Sequence, residues 1–268
     1  MNFKNPNLWI AVSGIVATIA LVLSQFPPIR QMIRGTDVRV STPEEIYLWH
    51  DLGKIGVSVS LDIYNAGGYS VNISKVECAI LENDTGKVFN LPARTYRTEN
   101  GYSLSLGTIT LSPDQHWTHD VACFNSFTRA ELEQVNDLKS RIRADIVDKQ
   151  DKLPAQDRDY TWIVLDNKLY QEAVNFFKQK FELTHEGSYR FFIKVTSDSG
   201  ETLKVQGFDF TLYKSNIQGL KGIAERDYKF GAGIDSANRY TRGGVTIPIT
   251  TISESDSRIV YQQKVANR

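Results

Sequence analysis

An uncharged, apolar run at the N-terminus constrains this chain more than any other feature. There is no ionisable side chain from Asn5 to Ile29, and the strongly apolar part is Leu8–Leu23. A helix needs about 20 such residues to cross a hydrocarbon core of about 30 Å, so residues 7–26 are just long enough. Pro27 and Pro28 then end the helix, because proline lacks an amide hydrogen and clashes with the preceding turn. The sequence therefore predicts a transmembrane anchor at 7–26.

The anchor is predicted to be retained rather than cleaved. A cleaved signal peptide has a shorter apolar run followed by small residues at its cleavage site, whereas this run ends in LSQF (23–26). A buried core helix is the alternative, but a helix that is apolar all round is uncommon at the start of a globular chain. We therefore expect a short tail at 1–6, a signal-anchor at 7–26 and a juxtamembrane linker at 27–36.

The orientation of the anchor is left open by its flanking charges. Lys4 lies on one side, and Arg30, Arg34 and Arg39 lie on the other. The positive-inside rule then favours a cytoplasmic location for the large C-terminal part. Against this, the short N-terminal tail is typical of a signal-anchor, and long domains cross membranes largely regardless of charge.

The overall composition argues against nucleic acid as a partner. Lys plus Arg and Asp plus Glu number 31 each, so the formal net charge is zero. Binding to DNA or RNA needs clustered cations that neutralise phosphates. The apolar share of 41% and the charged share of 23% are ordinary for a folded chain, so we expect a folded body after the anchor.

The body begins with a pattern that predicts β-strands. In KIGVSVSLDIY (54–64) apolar and polar residues alternate, and this period of two with β-branched residues is typical of a half-buried strand. Comparable segments follow, separated by Gly, Pro, Asn and Asp: YSVNISKVECAIL, GKVFNLPA, YSLSLGTITL and QHWTHDVACF. Many short strands of this kind predict an antiparallel, immunoglobulin-like β-sandwich rather than a parallel α/β sheet.

Two cysteines, Cys78 and Cys123, lie on apolar faces of different predicted strands. If they form a disulfide, it would stabilise the fold by about 4 kcal/mol in the chain-entropy description; the alternative is two separate buried thiols. A disulfide would place the body outside the reducing cytoplasm. We therefore expect a single-pass protein of the cell membrane with its body on the extracytoplasmic side, while the cytoplasmic side stays open.

A helical insert is predicted at 126–185. Thr128 followed by Glu131 forms a capping box, and an apolar stripe follows on one helix face: Leu132, Val135, Leu138, Ile142 and Ile146. A second amphipathic segment, LYQEAVNFFKQKF, presents another apolar face: Leu169, Ala173, Phe176, Phe177 and Phe181. We expect these helices to pack on one sandwich that spans 37–213, with two independent domains as the alternative.

The sandwich resumes as a hairpin, SYRFFIKVTSDSGETLKVQGFDFTLY (188–213). Its apolar parity shifts at Gly207, which predicts a glycine bulge there, and the earlier parity shift near Ser74 and Lys75 predicts a bulge or kink. The C-terminal extension, 214–268, is predicted to be partly flexible. We expect within it a short helix and an edge strand near 245–252, since Pro248 cannot donate to a central ladder.

Chemistry-bearing residues cluster only in HWTHD, which groups His116, His119 and Asp120. On a strand, residues three apart point to opposite faces, so the two histidines cannot hold one metal ion. His185 with Glu186 is placed at the end of the second helix and lacks the second histidine of a zincin motif. We find no nucleophile elbow and no phosphate-binding loop. The sequence therefore predicts no catalysis, no cofactor and no metal.

Two main hypotheses follow. The first is a membrane-anchored β-sandwich that contacts the bilayer through its N-terminal helix and binds a protein partner, or itself, through available strand edges. The alternative is a cytoplasm-facing sensor or effector subunit that docks through the helical insert. A metal-dependent hydrolase that uses His116, His119 or Asp120 is a third and less favoured interpretation.

Overall fold

The computed structural model describes residues 14–18, 20, 34–158, 162–231, 234 and 243–266. The predicted tail, most of the anchor and most of the linker at 27–36 lie outside the described residues, although 14–18 are helical. Within the described ranges, no helix combines the length and the apolarity needed to cross a bilayer.

Antiparallel β structure dominates the described chain, which confirms the predicted β-rich class. The strands are β1 Val38–Ser41, β2 Glu45–Asp51, β3 Lys54–Asn65, β4 Val71–Glu82, β5 Val88–Arg97, β6 Ser103–Ser105, β7 Ile109–Leu111, β8 His116–Phe124, β9 Gly187–Ser197, β10 Thr202–Leu212, β11 Gly244–Pro248 and β12 Thr250–Thr251. Sequence reasoning missed the first two. In β2, Ile46 and Leu48 are buried on one side and Trp49 is buried on the other, so the alternation that marks a half-buried strand is absent.

The strands form two sheets that share one strand. Sheet A has the order β11, β2, β3, β8, β5, β6, with β1 along the end of β3; sheet B has the order β5, β4, β9, β10, β12, with β7 beside β4. β5 pairs with β4 up to Pro92 and with β8 from Ala93 onward. Every pairing is antiparallel. The arrangement is a β-sandwich in which one strand crosses between the sheets.

The opposite side of the sandwich is also bridged by continuous chain. β11 pairs with β2 at one edge of sheet A, β12 pairs with β10 at the edge of sheet B, and only the buried Ile249 separates them. The sequence prediction of an edge strand around Pro248 is therefore confirmed, although the segment serves two sheets rather than one.

The two predicted bulges have different outcomes. The ladder between β4 and β9 shifts register between Ile73 and Lys75, which confirms the first. The second is wrong, because β10 pairs regularly with β9 from Lys204 to Leu212 and the irregularity precedes Lys204. The apolar parity of β10 changes because both of its faces are covered: Val205 belongs to an outer apolar cluster, while Phe208 belongs to the main core.

A disulfide joins Cys78 on β4 to Cys123 on β8, with the two Cα atoms 6.1 Å apart. Cys78 lies opposite Leu91 and Cys123 lies opposite Ala93 in their ladders with β5. The bond therefore spans β5 where that strand leaves sheet B and enters sheet A, and both cysteines are buried.

Helices lie at one end of the sandwich and on the outside of sheet B. They are α1 Arg129–Asp151, α2 Asn167–Lys180, α3 Lys214–Arg226, a 3₁₀ turn Tyr228–Phe230, α4 Glu254–Val260 and a π-helical turn Tyr261–Val265. The capping box of Thr128 and Glu131 is confirmed. The insert differs from prediction in two details: Leu132 is exposed, and α2 ends at Lys180, so His185 lies in the loop beyond it.

Glu131 holds the insert to the sandwich by charge. Its carboxylate accepts hydrogen bonds from Lys54 Nζ on β3 at 2.7 Å and from the Thr128 amide at 2.7 Å, and it lies 2.8 Å from Lys180 Nζ at the end of α2. Hydrogen bonds from Lys180 and then from Lys54 hold the pKa of Glu131 well below its usual range. One carboxylate thus connects α1, α2 and the start of β3.

His50 on β2 joins the helices to the sandwich from inside. Its Nε2 lies 3.0 Å from the Leu220 carbonyl of α3, so Nε2 donates and the neutral ring leaves Nδ1 to accept from the Gly53 amide. The ring packs on Phe177 and Phe181 of α2. Desolvation by this burial lowers the pKa of His50.

We call the end of the body formed by α1, α2 and α3 the helical cap.

The chain enters the body at the end remote from the helical cap. The Gly68 amide donates to the Gly35 carbonyl, and Arg34 pairs with Asp114 at 2.8 Å, so 34–37 lies beside the loops that follow β3 and precede β8. β3 runs from the tight turn at Leu52 and Gly53, under α2, to this entry end. The entry end and the helical cap therefore lie at opposite ends of the strands.

The C-terminal extension, which its composition predicts to be partly flexible, has regular structure over residues 243–266. Residues 243–266 supply two strands and the last helices, and the side chains of Tyr261 and Val265 pack on the outer face of sheet B. The polar residues Glu254, Ser255, Asp256 and Arg258 of α4 are exposed, and the apolar side chains that pack on the sheet, Tyr261 and Val265, lie in the turn that follows.

We expect the disulfide to contribute about 2–4 kcal/mol to the free energy of unfolding, since it restricts the unfolded chain across a sequence separation of 45. Urea denaturation of the native protein should shift to a lower midpoint when a reductant is added. A Cys78→Ala/Cys123→Ala double variant should start at the lower midpoint and show no response to reductant. Equal midpoints for the native protein with and without reductant would contradict this.

Candidate functional site

The outer faces of the two sheets differ in chemistry. Sheet B is apolar on its outside and is covered by the C-terminal helical segment; the cluster comprises Ala79, Leu81, Phe192, Val205, Tyr261 and Val265. No described helix covers the outside of sheet A in the same way. We call this outside, formed by the outward side chains of β11, β2, β3, β8, β5 and β6, the open face.

Strand register arranges the open face in three rows. The first row is charged and follows the pairs Ser60 with Asp120, Asp120 with Arg97, and Arg97 with Ser103. The second is small and hydroxyl-rich: Thr246, Tyr47, Ser58, Ala122, Thr95 and Ser105. The third is aromatic, with Trp49 and Phe124 on either side of Gly56. Successive rows lie about 7 Å apart, two residues along each strand.

These rows form a groove of about 710 Å³. Its floor is low because the central residues are small, and Tyr47 lines one side. A smaller hollow of about 270 Å³, which Trp49 and Phe124 also line, continues toward the start of α1. The groove volume of about 710 Å³ lies in the range that is typical of small-ligand sites.

Trp49 is held on the floor by specific contacts. Its Nε1 donates to Ser58 Oγ at 3.0 Å, and its ring centroid lies 5.6 Å from that of Phe124. The ring lies directly over Gly56, where a Cβ atom would come within 2.4 Å of it. Glycine is therefore required at this position for Trp49 to lie against the sheet.

The charged row contains side chains that are available to a ligand. Arg97 and Asp120 are exposed and opposite each other in the ladder, yet neither side chain forms a hydrogen bond or ion pair with another described residue. Glu45 at the end of β2 is also exposed and lines the groove. The row thus carries two carboxylates and one guanidinium, all open to solvent.

The structure separates the residues of HWTHD. His116 is outward, with Nδ1 3.1 Å from Asp62 Oδ1 and its ring stacked on Tyr64 at 4.2 Å. His119 is on the opposite face of β8, beside Trp117 at 4.7 Å. Asp120 shares the outward face with His116, but four residues along a strand place them about 13 Å apart. His116, His119 and Asp120 therefore cannot converge on one ion or one substrate atom.

His185 is also isolated from a cluster that could bind a metal. It lies 3.5 Å from the buried carboxylate of Glu82, which accepts a hydrogen bond from the Tyr189 hydroxyl. Among the described residues, no group of three or more His, Cys, Asp or Glu side chains is arranged to hold a metal ion.

A second exposed feature lies on the helical cap, and we call it the cap patch: Trp162, Val164 and Phe230. Trp162 and Val164 are 61% and 57% exposed. The Trp162 ring packs against Phe230 at 5.5 Å, and Lys149 Nζ donates to the Val164 carbonyl, which holds 162–166 along α1. The intervening Ile163 and Leu165 are buried, so the extended segment turns one side outward.

Both features escaped sequence reasoning. The groove depends on which residues of β2, β5 and β8 become neighbours, and this is set by pairing between distant segments. A signal was present for the cap patch, since YTWIVL alternates Trp162 and Val164 with Ile163 and Leu165. The segment could not be assigned as helix or strand from its periodicity, and its described part, residues 162–165, forms neither.

Comparison with known proteins gives no match: no family model fits the chain, and no curated protein and no solved structure matches it.

We expect Gly56→Ala to lower the free energy of unfolding by about 1–3 kcal/mol, because the new methyl group must displace the Trp49 ring. Urea denaturation followed by tryptophan emission measures the change. Gly107→Ala is the matched control, since a Cβ atom there meets nothing within 4 Å. Similar losses in the two variants would mean that Trp49 does not lie on Gly56.

Proposed function

We propose that this chain is a single-pass, membrane-anchored β-sandwich, with an immunoglobulin-like body, that acts as a protein-binding and assembly module without catalysing a reaction. The observation that carries the proposal is the cap patch, an exposed aromatic and aliphatic surface at the end of the body opposite the chain entry.

The anchor part of the proposal rests on the apolar run at 7–26, which is long enough to span a bilayer. Because the chain enters the body at 34–37, an anchor there would leave the helical cap pointing away from the membrane. A tether of this kind confines the body near the membrane and raises its local concentration toward partners there, so a modest interface suffices.

The cap patch has the chemistry of a protein-binding surface. Large apolar side chains at more than half of their full exposure are uncommon when they are grouped, and grouped ones mark interaction sites. Tryptophan is enriched among the residues that contribute most to binding. Strand addition, in contrast, has little edge to use, because α3 packs against β11 and β12 has two residues.

The extracytoplasmic side is part of the proposal, and the Cys78–Cys123 disulfide supports it. Structural disulfides persist in oxidising compartments and are rare in the cytosol. The alternative, a cytoplasm-facing sensor or effector subunit, would use the same helical cap for docking but would keep both thiols reduced. A hydrolase has the least support, since His116 and His119 lie on opposite faces of β8.

We expect Trp162→Ala with Val164→Ser to abolish partner capture, because the double change removes most of the exposed apolar area of the cap patch. Full-length tagged protein would be cross-linked in its own membrane, extracted and analysed for co-purified protein. Ile259→Ser on α4 is the matched control, as it removes an exposed aliphatic side chain far from the cap. Equal partner capture by the Trp162→Ala/Val164→Ser variant and the Ile259→Ser control would contradict the proposal.

Orientation is measured separately with a single reporter thiol. Ser255→Cys places an exposed cysteine on α4, while the two native cysteines are bonded and buried. An impermeant maleimide should label this variant in intact cells if the body is extracytoplasmic. Labelling only after cell lysis would favour the cytoplasm-facing alternative.

A further inference from the structure

We propose that the open face binds a neutral oligosaccharide, in the groove between the charged row and the aromatic row. This site is distinct from the cap patch, and it neither requires nor follows from the protein-binding function. Its location on one side of the body leaves the entry end and the helical cap free.

The first step is the supply of unused hydrogen-bonding groups. The side chains of Ser60, Ser103, Thr95, Arg97 and Asp120 line the groove, and none bonds to another described residue. Their hydroxyls donate and accept, the carboxylate only accepts, and the guanidinium only donates. A sugar hydroxyl also donates and accepts, so each of these groups can be satisfied by a chain of sugar rings.

The second step is the aromatic row. Pyranose rings carry apolar C–H faces as well as hydroxyl edges, and an aromatic ring is the side chain best suited to cover such a face. Phe124 is half-buried at the edge of the groove and is the ring that can cover a sugar face, while Trp49 is 3% exposed and packs against Phe124. The aromatic row lies about 14 Å from the charged row, two row spacings away. A ligand longer than one sugar ring is needed to contact both.

The third step excludes other ligand classes. A nucleic acid or another polyanion is disfavoured because Glu45 and Asp120 outnumber Arg97 in the groove. An apolar chain is disfavoured by the hydroxyl-rich floor, whose groups would lose water without replacement. An extended peptide needs partners for its backbone amides, and the open face presents side chains rather than a strand edge. A neutral, hydroxyl-rich chain satisfies all three conditions.

The test uses the full-length chain in lipid nanodiscs, because detergents with sugar headgroups would compete for the groove. The probe is an array of oligosaccharides that spans neutral hexoses, N-acetylhexosamines and uronates; titration calorimetry then follows with the neutral tetrasaccharide that binds best. We expect Asp120→Ala and Arg97→Ala each to weaken its binding by about tenfold, the scale of one hydrogen bond to a charged group.

Two controls separate this site from the rest of the molecule. Glu201→Ala removes an exposed carboxylate from the turn between β9 and β10 on sheet B, and it should leave the affinity unchanged. The Trp162→Ala variant should also bind normally, so loss of partner capture and loss of sugar binding are distinguishable. Thermal unfolding of each variant shows whether the fold is retained.

Several results would overturn the proposal. One is the absence of binding across the whole array, and another is preferential binding of the uronates. Undiminished binding in both Asp120→Ala and Arg97→Ala would place the ligand elsewhere. A protein that binds the open face and is released by Asp120→Ala, in the absence of any sugar binding, would assign this face to a peptide ligand instead.

Discussion

The architecture depends on β5, the strand that pairs with β4 in its first half and with β8 in its second. A strand in both sheets must bend sharply, and here the bend coincides with Pro92, which cannot donate to a ladder. The Cys78–Cys123 bond spans this bend from the two flanking strands. Together they fix the angle between the sheets. The register of β8 beside β5, and with it the pairing of Asp120 with Arg97, depends on this corner.

The two outer faces differ because, within the described part of the chain, one helical segment packs on sheet B and none packs in the same way on sheet A. The C-terminal helical segment packs on sheet B through Tyr261 and Val265, where the outward side chains are apolar. The outward side chains of sheet A include serines, threonines and charged residues instead. The open face can therefore contact water without exposing a large apolar surface. The same division explains why β10 is buried on both sides while β8 alternates.

Sequence reasoning succeeded where the determinants are local. The capping box at Thr128, the alternation in β3 and the parity change beside Ser74 are each decided within a few residues. Sequence reasoning failed where a distant segment covers a sheet face. The C-terminal helical segment covers the outer face of β10, so apolar residues occur on both faces of this strand. Their pattern resembles that of a glycine bulge, although β10 pairs regularly with β9 there.

The candidate sites were the hardest to foresee. The open face is formed by strands that are far apart in sequence. No local sequence pattern therefore indicates that Arg97 and Asp120 are neighbours. The segment HWTHD contains the residues best suited to catalysis or metal binding. The pleat of β8 places His116 and Asp120 on one face and His119 on the other. The exposure of Trp162 depends on the packing of 162–166 along α1, which its alternating letters could not reveal.

The length of β3 has a consequence for how a membrane-anchored body would work. Its twelve residues run from the entry end to the turn beneath α2, a distance of about 40 Å at the usual rise per residue of a strand. A body that stood upright on its anchor would hold the helices at about that height above the lipid headgroups, with the hydroxyl-bearing flank parallel to its long axis. Molecules close to the bilayer surface would then contact the side of the body. Only partners that extend about 40 Å from the membrane would reach the helical cap.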